Sequence, residues 1–249
     1  MARIRLDLAL VQRELCPSRE QAKRLIMAGE VMLGDEVMSK PGWLVRQDAV
    51  LTVKTPPRFV SRGGLKLEGA LEHFGIDVTG LIGMDVGAST GGFTDCLLQR
   101  GAVKVHAFDV GTNQMVWKLR SDPRVVCREN FNVRHLQTTD LPEQVDIIVA
   151  DVSFISLTLV LPGALSVLKP GGQAVVLVKP QFELSRDEVG KGGIVRETEL
   201  HEKACARIQS FVEAQPDLEW KGLTESSIQG TEGNREFLAW IQKRVEPDQ

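Results

Sequence analysis

The chain has 249 residues and a mass of 27.5 kDa, with 43% hydrophobic and 25% charged residues, so it is long enough to bury a core. This length and composition exclude fibres and short disulfide scaffolds, and apolar runs such as Val145–Ala150 are far shorter than the ~20 residues of a membrane-spanning helix. The net charge of −3 is unevenly distributed, because residues 1–66 carry 12 basic and 7 acidic side chains and the remainder carries 18 and 26. A basic module joined to an acidic body is typical of proteins that bind polyanions.

Neither export nor metal binding is predicted. The N-terminal residues lack the uninterrupted apolar segment of a signal peptide, so we expect a cytoplasmic protein with no membrane partner. The cysteines lie far apart, without a Cys-x-x-Cys motif or a histidine at metal-ligand spacing, which predicts reduced thiols and no metal site. These cysteines are Cys16, Cys96, Cys127 and Cys205.

Two short helices are predicted first. Apolar residues recur on one face over residues 6–15, and Pro17 ends that run. Ser18 with Gln21 three residues later forms a capping box for a second helix, and Gly29 marks its C-terminal end.

A hairpin over residues 31–38 and a strand over residues 50–53 are predicted to follow the helices. This arrangement resembles the alpha-L RNA-binding motif, or S4 domain, and the stretch that carries the resemblance is residues 18–31. We therefore expect a small α+β, S4-like RNA-binding domain over residues 1–55. Residues 56–61 are expected to be a linker, because two consecutive prolines cannot continue a helix.

The second helix has a basic face. Arg19 and Lys23 are four residues apart and Arg24 lies beside them, so their cations project together. Clustered cations gain affinity for nucleic acid by displacing phosphate counterions, although a basic face is also compatible with simple solvation. The residues predicted to bind RNA are Arg3, Arg5, Arg19, Lys23, Arg24 and Arg62.

Residues 62–249 alternate apolar strands with amphipathic helices. The strands are predicted at residues 81–86, 103–110, 145–151 and 173–179, and the helices near residues 65–74, 92–100, 112–120, 157–168 and 197–214. This alternation predicts an α/β fold with parallel strands in an open, doubly wound sheet. Such sheets bind ligands at the carboxyl ends of their strands, so the residues that follow the strands are the candidates for function.

A glycine-rich turn follows the first of these strands. It begins after Asp85 and lacks the spacing of dinucleotide or nucleoside-triphosphate sites, but backbone amides at the following helix suit the carboxylate of an amino-acid-like cofactor. Asp109 ends the second strand, where a carboxylate can accept hydrogen bonds from ribose hydroxyls. The combination resembles S-adenosylmethionine-dependent methyltransferases, and a plain tight turn is the alternative. The residues predicted to bind the cofactor are Asp85, Gly87, Ala88, Ser89, Gly91, Gly92, Asp109 and Asn130.

Charged residues at strand ends are the catalytic candidates. Asp151 and Lys179 each terminate a strongly apolar strand, where a charge is costly unless it is paired or functional. A structural salt bridge between adjacent strand ends would also explain them. The predicted catalytic group consists of Lys66, Asp151, Lys179 and Glu236.

An RNA 2′-hydroxyl is a poor nucleophile, so its methylation calls for a base beside the oxygen and an in-line approach to the methyl group. A lysine can act as that base when burial and a second cation lower its pKa. In this reading Lys66 supplies the second cation, while Asp151 and Glu236 hold the ammonium groups in place.

The order Lys-Asp-Lys-Glu, with the glycine turn between the first two residues, resembles the FtsJ-like RNA 2′-O-methyltransferases. The resemblance extends to the TlyA family over essentially the whole chain. The segments that carry it are residues 61–66, 85–94, 117–120, 151–156, 179–183, 191–193 and 233–238. It implies a Rossmann-like methyltransferase fold beside the S4-like domain.

The same resemblance implies an activity and a partner. Family members methylate the ribose 2′-hydroxyl of cytidine in ribosomal RNA, in the large subunit and in some members also the small subunit. The partner implied is ribosomal RNA or a ribosomal subunit, and the cofactor is S-adenosylmethionine. Two alternatives remain, a non-catalytic assembly factor and a hemolysin-like protein, and the segment Asn130–Asn132 departs from the family pattern at the expected adenine pocket.

Overall fold

A computed structural model describes residues 3–54, 57–230 and 233–245. The chain divides into two compact units, one ending at Arg58 and the other beginning at Phe59. This division falls inside the predicted linker, of which Pro56 lies outside the described residues.

Two helices and five short strands are formed by residues 3–54 of the first unit. β2 pairs with β3 and β5 in antiparallel fashion, and β1 pairs with β4. A core of apolar side chains, among them Leu6, Leu10 and Ile26, joins the helices to the strands. The elements are β1 (Arg3–Arg5), α1 (Leu6–Gln12), α2 (Arg19–Met27), β2 (Val31–Leu33), β3 (Glu36–Met38), β4 (Leu44–Arg46) and β5 (Leu51–Val53).

Both predicted helices of this unit are present, and the first of them is shorter than predicted. Ser18 Oγ accepts a hydrogen bond from the Gln21 N–H at 3.2 Å, and Gly29 takes the left-handed conformation (φ 72°) beyond the end of α2, as predicted. The first helix was expected to reach residue 15 but ends at Gln12, because Glu14 adopts φ 58° and cannot continue it.

The described residues of the second unit form six α-helices and seven strands. These are α3 (Gly63–Phe74), β6 (Ile82–Val86), α4 (Gly92–Gln99), β7 (Lys104–Phe108), α5 (Trp117–Arg120), β8 (Val125–Arg128), β9 (Val145–Ala150), α6 (Leu157–Leu165), β10 (Leu168–Val178), α7 (Pro180–Glu183), α8 (Thr198–Glu213), β11 (Leu218–Glu225) and β12 (Phe237–Lys243). Helix α5 is shorter than the predicted 112–120 because Glu129 binds the backbone N–H groups of residues 113–115 in a loop. Helix α6 ends at Leu165, short of the predicted residue 168, where β10 begins.

The seven strands form one sheet in the order β11-β12-β10-β9-β6-β7-β8. Strands β10, β9, β6, β7 and β8 are parallel, which confirms the predicted topology for the central strands. Strands β11 and β12 were not predicted, and β12 runs antiparallel to both β10 and β11 at one edge of the sheet. Apolar side chains cover both faces of the central strands, as a parallel sheet requires.

The chain order reverses across β6 and β9, because β7 and β8 extend the sheet on one side and β10 on the other. Such a reversal leaves a crevice at the carboxyl ends of the central strands. Among the described residues, no helix has the length and apolar character needed to cross a membrane.

Candidate active site

The turn between β6 and α4 brings backbone close to the loop after β9. Gly87 has φ 81°, and a Cβ at this position would lie 2.5 Å from the Asp151 carbonyl oxygen. Only glycine fits such a close approach with this backbone conformation. Gly91 also has a positive φ (99°) and directly precedes α4, which begins at Gly92.

Asp85 lies behind this turn and is fully buried. Its Oδ2 accepts hydrogen bonds from the Thr94 N–H at 2.9 Å and from the Thr94 hydroxyl at 2.7 Å, while its Oδ1 has no partner among the described residues. Burial raises the pKa of Asp85 to about 7, and the negative charges of Asp151 and Asp109 act in the same direction. Asp85, predicted to bind the cofactor, therefore stabilises the turn by joining β6 to α4, and one of its buried oxygens has no hydrogen-bond partner in the described part of the chain.

Asp109 follows β7 and holds two loops. Its Oδ2 accepts from the Ser89 N–H at 2.7 Å and its Oδ1 from the Gly111 N–H at 2.7 Å. Ser89 is itself in the left-handed region, with φ 46°. The carboxylate thus fixes the glycine turn against the loop after β7.

An apolar cavity of about 420 Å³ lies beside Asp109. Its lining includes the apolar side chains of Phe108, Phe131, Val133 and Ile155 and the polar residues Asp109 and Asn132. Asn130, predicted from sequence, is exposed and is not among the residues that line this cavity.

A second, more polar cavity of about 560 Å³ contains all four predicted catalytic residues. Residues distant in the chain thus meet at the carboxyl ends of the strands. The cavity is also lined by four of the predicted cofactor residues and by the predicted RNA-binding residue Arg62, together with Ser61, Gly63, Thr90, Phe93 and Ser153. The four cofactor residues are Gly87, Ala88, Ser89 and Gly92.

Lys179 and Asp151 come from neighbouring strands of the sheet. Asp151 directly follows β9 and Lys179 directly follows β10, so the parallel pairing places both at the same edge. The Lys179 Nζ lies 2.5 Å from Asp151 Oδ1 and donates to the Ser153 hydroxyl at 2.9 Å. Lys179 is only 9% exposed, so its Nζ is held by these oxygen atoms in the wall of the cavity.

Lys66 and Glu236 form the second ion pair. Lys66 lies in the first turn of α3, and Glu236 directly precedes β12. The Lys66 Nζ lies 2.5 Å from Glu236 Oε2, and both residues are buried. This pair depends on the antiparallel edge of the sheet that the sequence pattern did not predict.

Sequence reasoning missed Ser153 and Glu183. Ser153 accepts a hydrogen bond from Lys179, and its signals were its position two residues after Asp151 and its place in the segment 151–156 that carries the family resemblance. The buried Glu183 carboxylate accepts from the Ser156 hydroxyl at 2.6 Å and from the Leu157 N–H at 2.8 Å. It therefore ties the segment after Lys179 to the loop after Asp151.

A third cavity, of about 430 Å³, adjoins Lys179 and Glu236. It is lined by residues of the segments 179–183 and 190–193, and residues 179–183 and 191–193 are among the segments that carry the family resemblance. The buried Asn234 fixes the second segment, because its side chain donates to the Gly193 carbonyl and accepts from the Val195 N–H, each at 2.9 Å.

The predicted RNA-binding residues of the first unit differ in their surroundings. Arg3, Lys23 and Arg24 are exposed. Arg5 and Arg19, by contrast, both contact the buried carboxylate of Asp7. In the described part of the chain, no group of three or more His, Cys, Asp or Glu side chains is arranged to hold a metal ion.

The strand order, the glycine turn and the polar cavity at the strand ends define a Rossmann-like fold of the methyltransferase type. The O-methyltransferase from Bacillus cereus in complex with SAH shares this fold at a TM-score of 0.51 and 18% identity, covering 76% of this chain and 84% of that one.

Sequence profiles assign both units. The profile of the FtsJ-like methyltransferases matches residues 59–243, and that of the S4 domain matches residues 4–51. The 16S/23S rRNA (cytidine-2′-O)-methyltransferase TlyA of Mycobacterium tuberculosis is 42% identical over 248 residues, 98% of this chain and 91% of that protein. A solved structure of a hemolysin-named protein from Streptococcus thermophilus is 46% identical, has a TM-score of 0.74 and covers 99% of this chain and 90% of that one. The chain belongs to the TlyA family of FtsJ-like methyltransferases, which confirms the family predicted from the sequence.

Proposed function

We propose that the protein transfers a methyl group from S-adenosylmethionine to the 2′-hydroxyl of a cytidine ribose in ribosomal RNA. One observation carries the proposal. The apolar cavity and the polar cavity share Gly87, Ser89, Asp151 and Ser153 in their walls. A ligand with a flat aromatic ring system at one end and a reactive centre at the other can therefore extend through both cavities, with its reactive centre near the two lysines.

The residues present fit this cofactor. The apolar cavity suits a nucleobase, and Asp109 at its rim suits the hydroxyls of a ribose. Asp85 lines neither cavity, and its Oδ2 instead joins the end of β6 to Thr94 of α4, which supports the glycine turn. Ala88 and Ser89 in the cavity wall would lie along the cofactor, and the N–H groups at the start of α4 suit its carboxylate.

The cofactor supplies a methyl group already activated on a sulfonium sulfur, so the protein mainly has to orient the acceptor oxygen. In the reaction the C–O bond forms as the C–S bond breaks, the sulfonium becomes a neutral thioether, and the hydroxyl proton leaves to a base. Lys179 in its unprotonated form is that base, and Ser153 and Asp151 hold its Nζ toward the cavity.

Lys66 and Glu236 line the wall of the same cavity. The carboxylate of Glu236 holds the Lys66 ammonium in the wall of this cavity, so a second cation is fixed beside the acceptor site. Arg62 lies on the same wall and is exposed, so it suits a phosphate adjoining the target ribose.

Ribosomal RNA is the proposed partner because an S4 domain precedes the methyltransferase domain and because the relative from M. tuberculosis carries that substrate in its name. The basic excess of residues 1–66 supports binding to phosphate. We place the protein in the cytoplasm, with residues 1–55 as the RNA-binding domain, residues 56–61 as the linker and residues 62–249 as the catalytic domain.

The test uses purified protein, methyl-labelled S-adenosylmethionine and three substrates, namely protein-free ribosomal RNA, separate subunits and whole ribosomes. We expect label in 2′-O-methylcytidine after nuclease digestion, together with binding of S-adenosylmethionine by calorimetry. Cofactor binding without transfer to any substrate, or no cofactor binding, would favour a non-catalytic assembly factor. Leakage of liposomes on addition of the protein would favour the hemolysin-like alternative.

A further inference from the structure

Asp7 in the first turn of α1 is fully buried, yet it contacts two half-exposed arginines. Arg5 donates to both oxygens, from Nε to Oδ1 and from Nη2 to Oδ2, each at 3.0 Å. Arg19 donates from Nε to Oδ2, also at 3.0 Å. The arginine side chains are 42% and 50% exposed, so the acid lies beneath two guanidinium groups that face solvent.

The carboxylate leaves most of the arginine donors available. Each guanidinium has donors on Nη1 and Nη2 as well as on Nε. Within the described part of the chain, Arg5 Nη1 and both Nη atoms of Arg19 have no hydrogen-bond partner. The bond from Arg5, followed by that from Arg19, lowers the pKa of Asp7 to about 2, so the carboxylate stays ionised at neutral pH.

We propose that Asp7 is a positioning residue, which holds Arg5 and Arg19 as a preformed pair for the phosphate backbone of ribosomal RNA. The proposal rests on the function proposed above. A free arginine side chain loses considerable rotamer entropy when a phosphate immobilises it. Here β1 and α2 fix the two backbones and Asp7 fixes the two guanidinium planes before RNA arrives. Bidentate contact to phosphate depends on that planar geometry.

Net charge and positioning predict opposite results for Asp7→Asn. The substitution removes one negative charge from a basic surface, and charge alone would then strengthen RNA binding. Positioning predicts weaker binding, because an amide accepts fewer and weaker hydrogen bonds from the two guanidinium groups.

The same unit provides a matched control. Arg46 makes the same fork to Asp48, with Nε to Oδ1 at 2.8 Å and Nη2 to Oδ2 at 2.6 Å, but the Asp48 side chain is 62% exposed. Asp48→Asn changes the net charge by the same amount without disturbing the buried carboxylate.

The experiment measures the affinity of the full-length protein for protein-free 23S rRNA at several salt concentrations. We expect Asp7→Asn to bind roughly threefold to tenfold more weakly, and Asp48→Asn to bind as tightly as the unchanged protein or more tightly. Equal or tighter binding by Asp7→Asn would overturn the inference while leaving the proposed function intact. No binding by the unchanged protein would instead contradict the proposed RNA partner.

A coupling measurement separates positioning from simple destabilisation. Asp7→Asn is also introduced into a variant with Arg5→Ala and Arg19→Ala. If Asp7 acts through the arginines, it should change affinity by less than about twofold in this background. An undiminished loss would show that the substitution merely weakens the fold of the unit, and the positioning role would be wrong.

Discussion

Two Lys–Asp pairs lie at opposite ends of the same two strands, β9 and β10. At the amino ends, Lys169 Nζ lies 2.6 Å from Asp146 Oδ1, and at the carboxyl ends Lys179 Nζ lies 2.5 Å from Asp151 Oδ1. The first pair is structural, since Asp146 Oδ2 also accepts the Ile82 N–H at 2.8 Å and so joins β9 to β6. The second pair faces a cavity and shares its lysine with Ser153.

The contrast teaches that the residue types alone do not define a catalytic pair. Both pairs join the same two residue types at nearly the same distance, across the same parallel pairing. The carboxyl ends lie at the crevice where the chain order reverses, so the Lys179 pair is the one that we propose to be catalytic.

The largest expected effect separates the two lysines. Lys179→Met should lower the rate of methyl transfer by about 10²–10⁴-fold, because the acceptor hydroxyl loses its base, with cofactor affinity unchanged. Lys169→Met should change the rate by less than about twofold, because Lys169 lies at the opposite ends of the strands. Single-turnover transfer and calorimetry measure both quantities, and equal rates for the two variants would break the comparison.

The deeper ion pair should matter more for stability than either Lys–Asp pair. Lys66→Met leaves Glu236, which is only 4% exposed, as an unpaired buried charge and should cost about 3–5 kcal/mol of unfolding free energy. Lys169→Met should cost less than about 1 kcal/mol because its pair is more exposed. Urea titration measures both, and adding Glu236→Gln to Lys66→Met should restore stability without restoring activity. Equal urea midpoints for Lys66→Met and Lys169→Met would contradict the prediction that Glu236 becomes an unpaired buried charge.

Glu183 should affect catalysis by the Lys179–Asp151 pair, because it joins the segment after Lys179 to the loop after Asp151. Glu183→Gln weakens the bonds to Ser156 and Leu157 that hold the loop after Asp151. We expect about a tenfold lower kcat with little change in KM, since the reacting groups lose alignment while the substrate surface remains. The exposed Glu213→Gln is the control. A rise in KM with unchanged kcat would assign Glu183 to substrate binding instead.

The smallest effect concerns Asp85, whose raised pKa of about 7 depends in part on the charge of Asp151. The protonated carboxyl of the folded state stabilises the protein at acidic pH, and this contribution is lost as pH rises toward 7. Asp85→Asn should therefore add on the order of 1 kcal/mol of stability above pH 7 and less at pH 4, as thermal unfolding across pH can measure. Asp151→Asn should lower the pKa of Asp85, whereas Asp146→Asn should leave it unchanged. A stability gain independent of pH would contradict this account.

The Lys179–Asp151 pair could be predicted from the sequence, because two long apolar strands are each followed by a charged residue. Parallel strands bring such ends together without any knowledge of packing. The pair of Lys66 with Glu236 could not be predicted in this way. Glu236 precedes β12, which pairs in antiparallel fashion with the largely exposed strand β11, and neither strand continues the alternation of helices and apolar strands. Neither Lys66 nor Glu236 ends a predicted strand, and the order Lys-Asp-Lys-Glu was the signal that supported them.

The basic module shows the same limit. The sequence indicated that Arg5 and Arg19 are cations on a small domain, and the structure adds that both are bound to one buried acid. Asp7 lies among apolar residues of a predicted helix, where no periodicity marks it as their partner. Contacts between helix and strand side chains decide such roles, and these follow from packing rather than local pattern.

Ribose methylation mapped across ribosomal RNA tests the central claim most directly. Cells lacking the protein are compared with cells that carry it unchanged, as Lys179→Met or as Lys169→Met. The account predicts a 2′-O-methylcytidine that is absent without the protein, present with the unchanged chain and with Lys169→Met, and absent with Lys179→Met. The same methylation in all four strains, or in none, would contradict it.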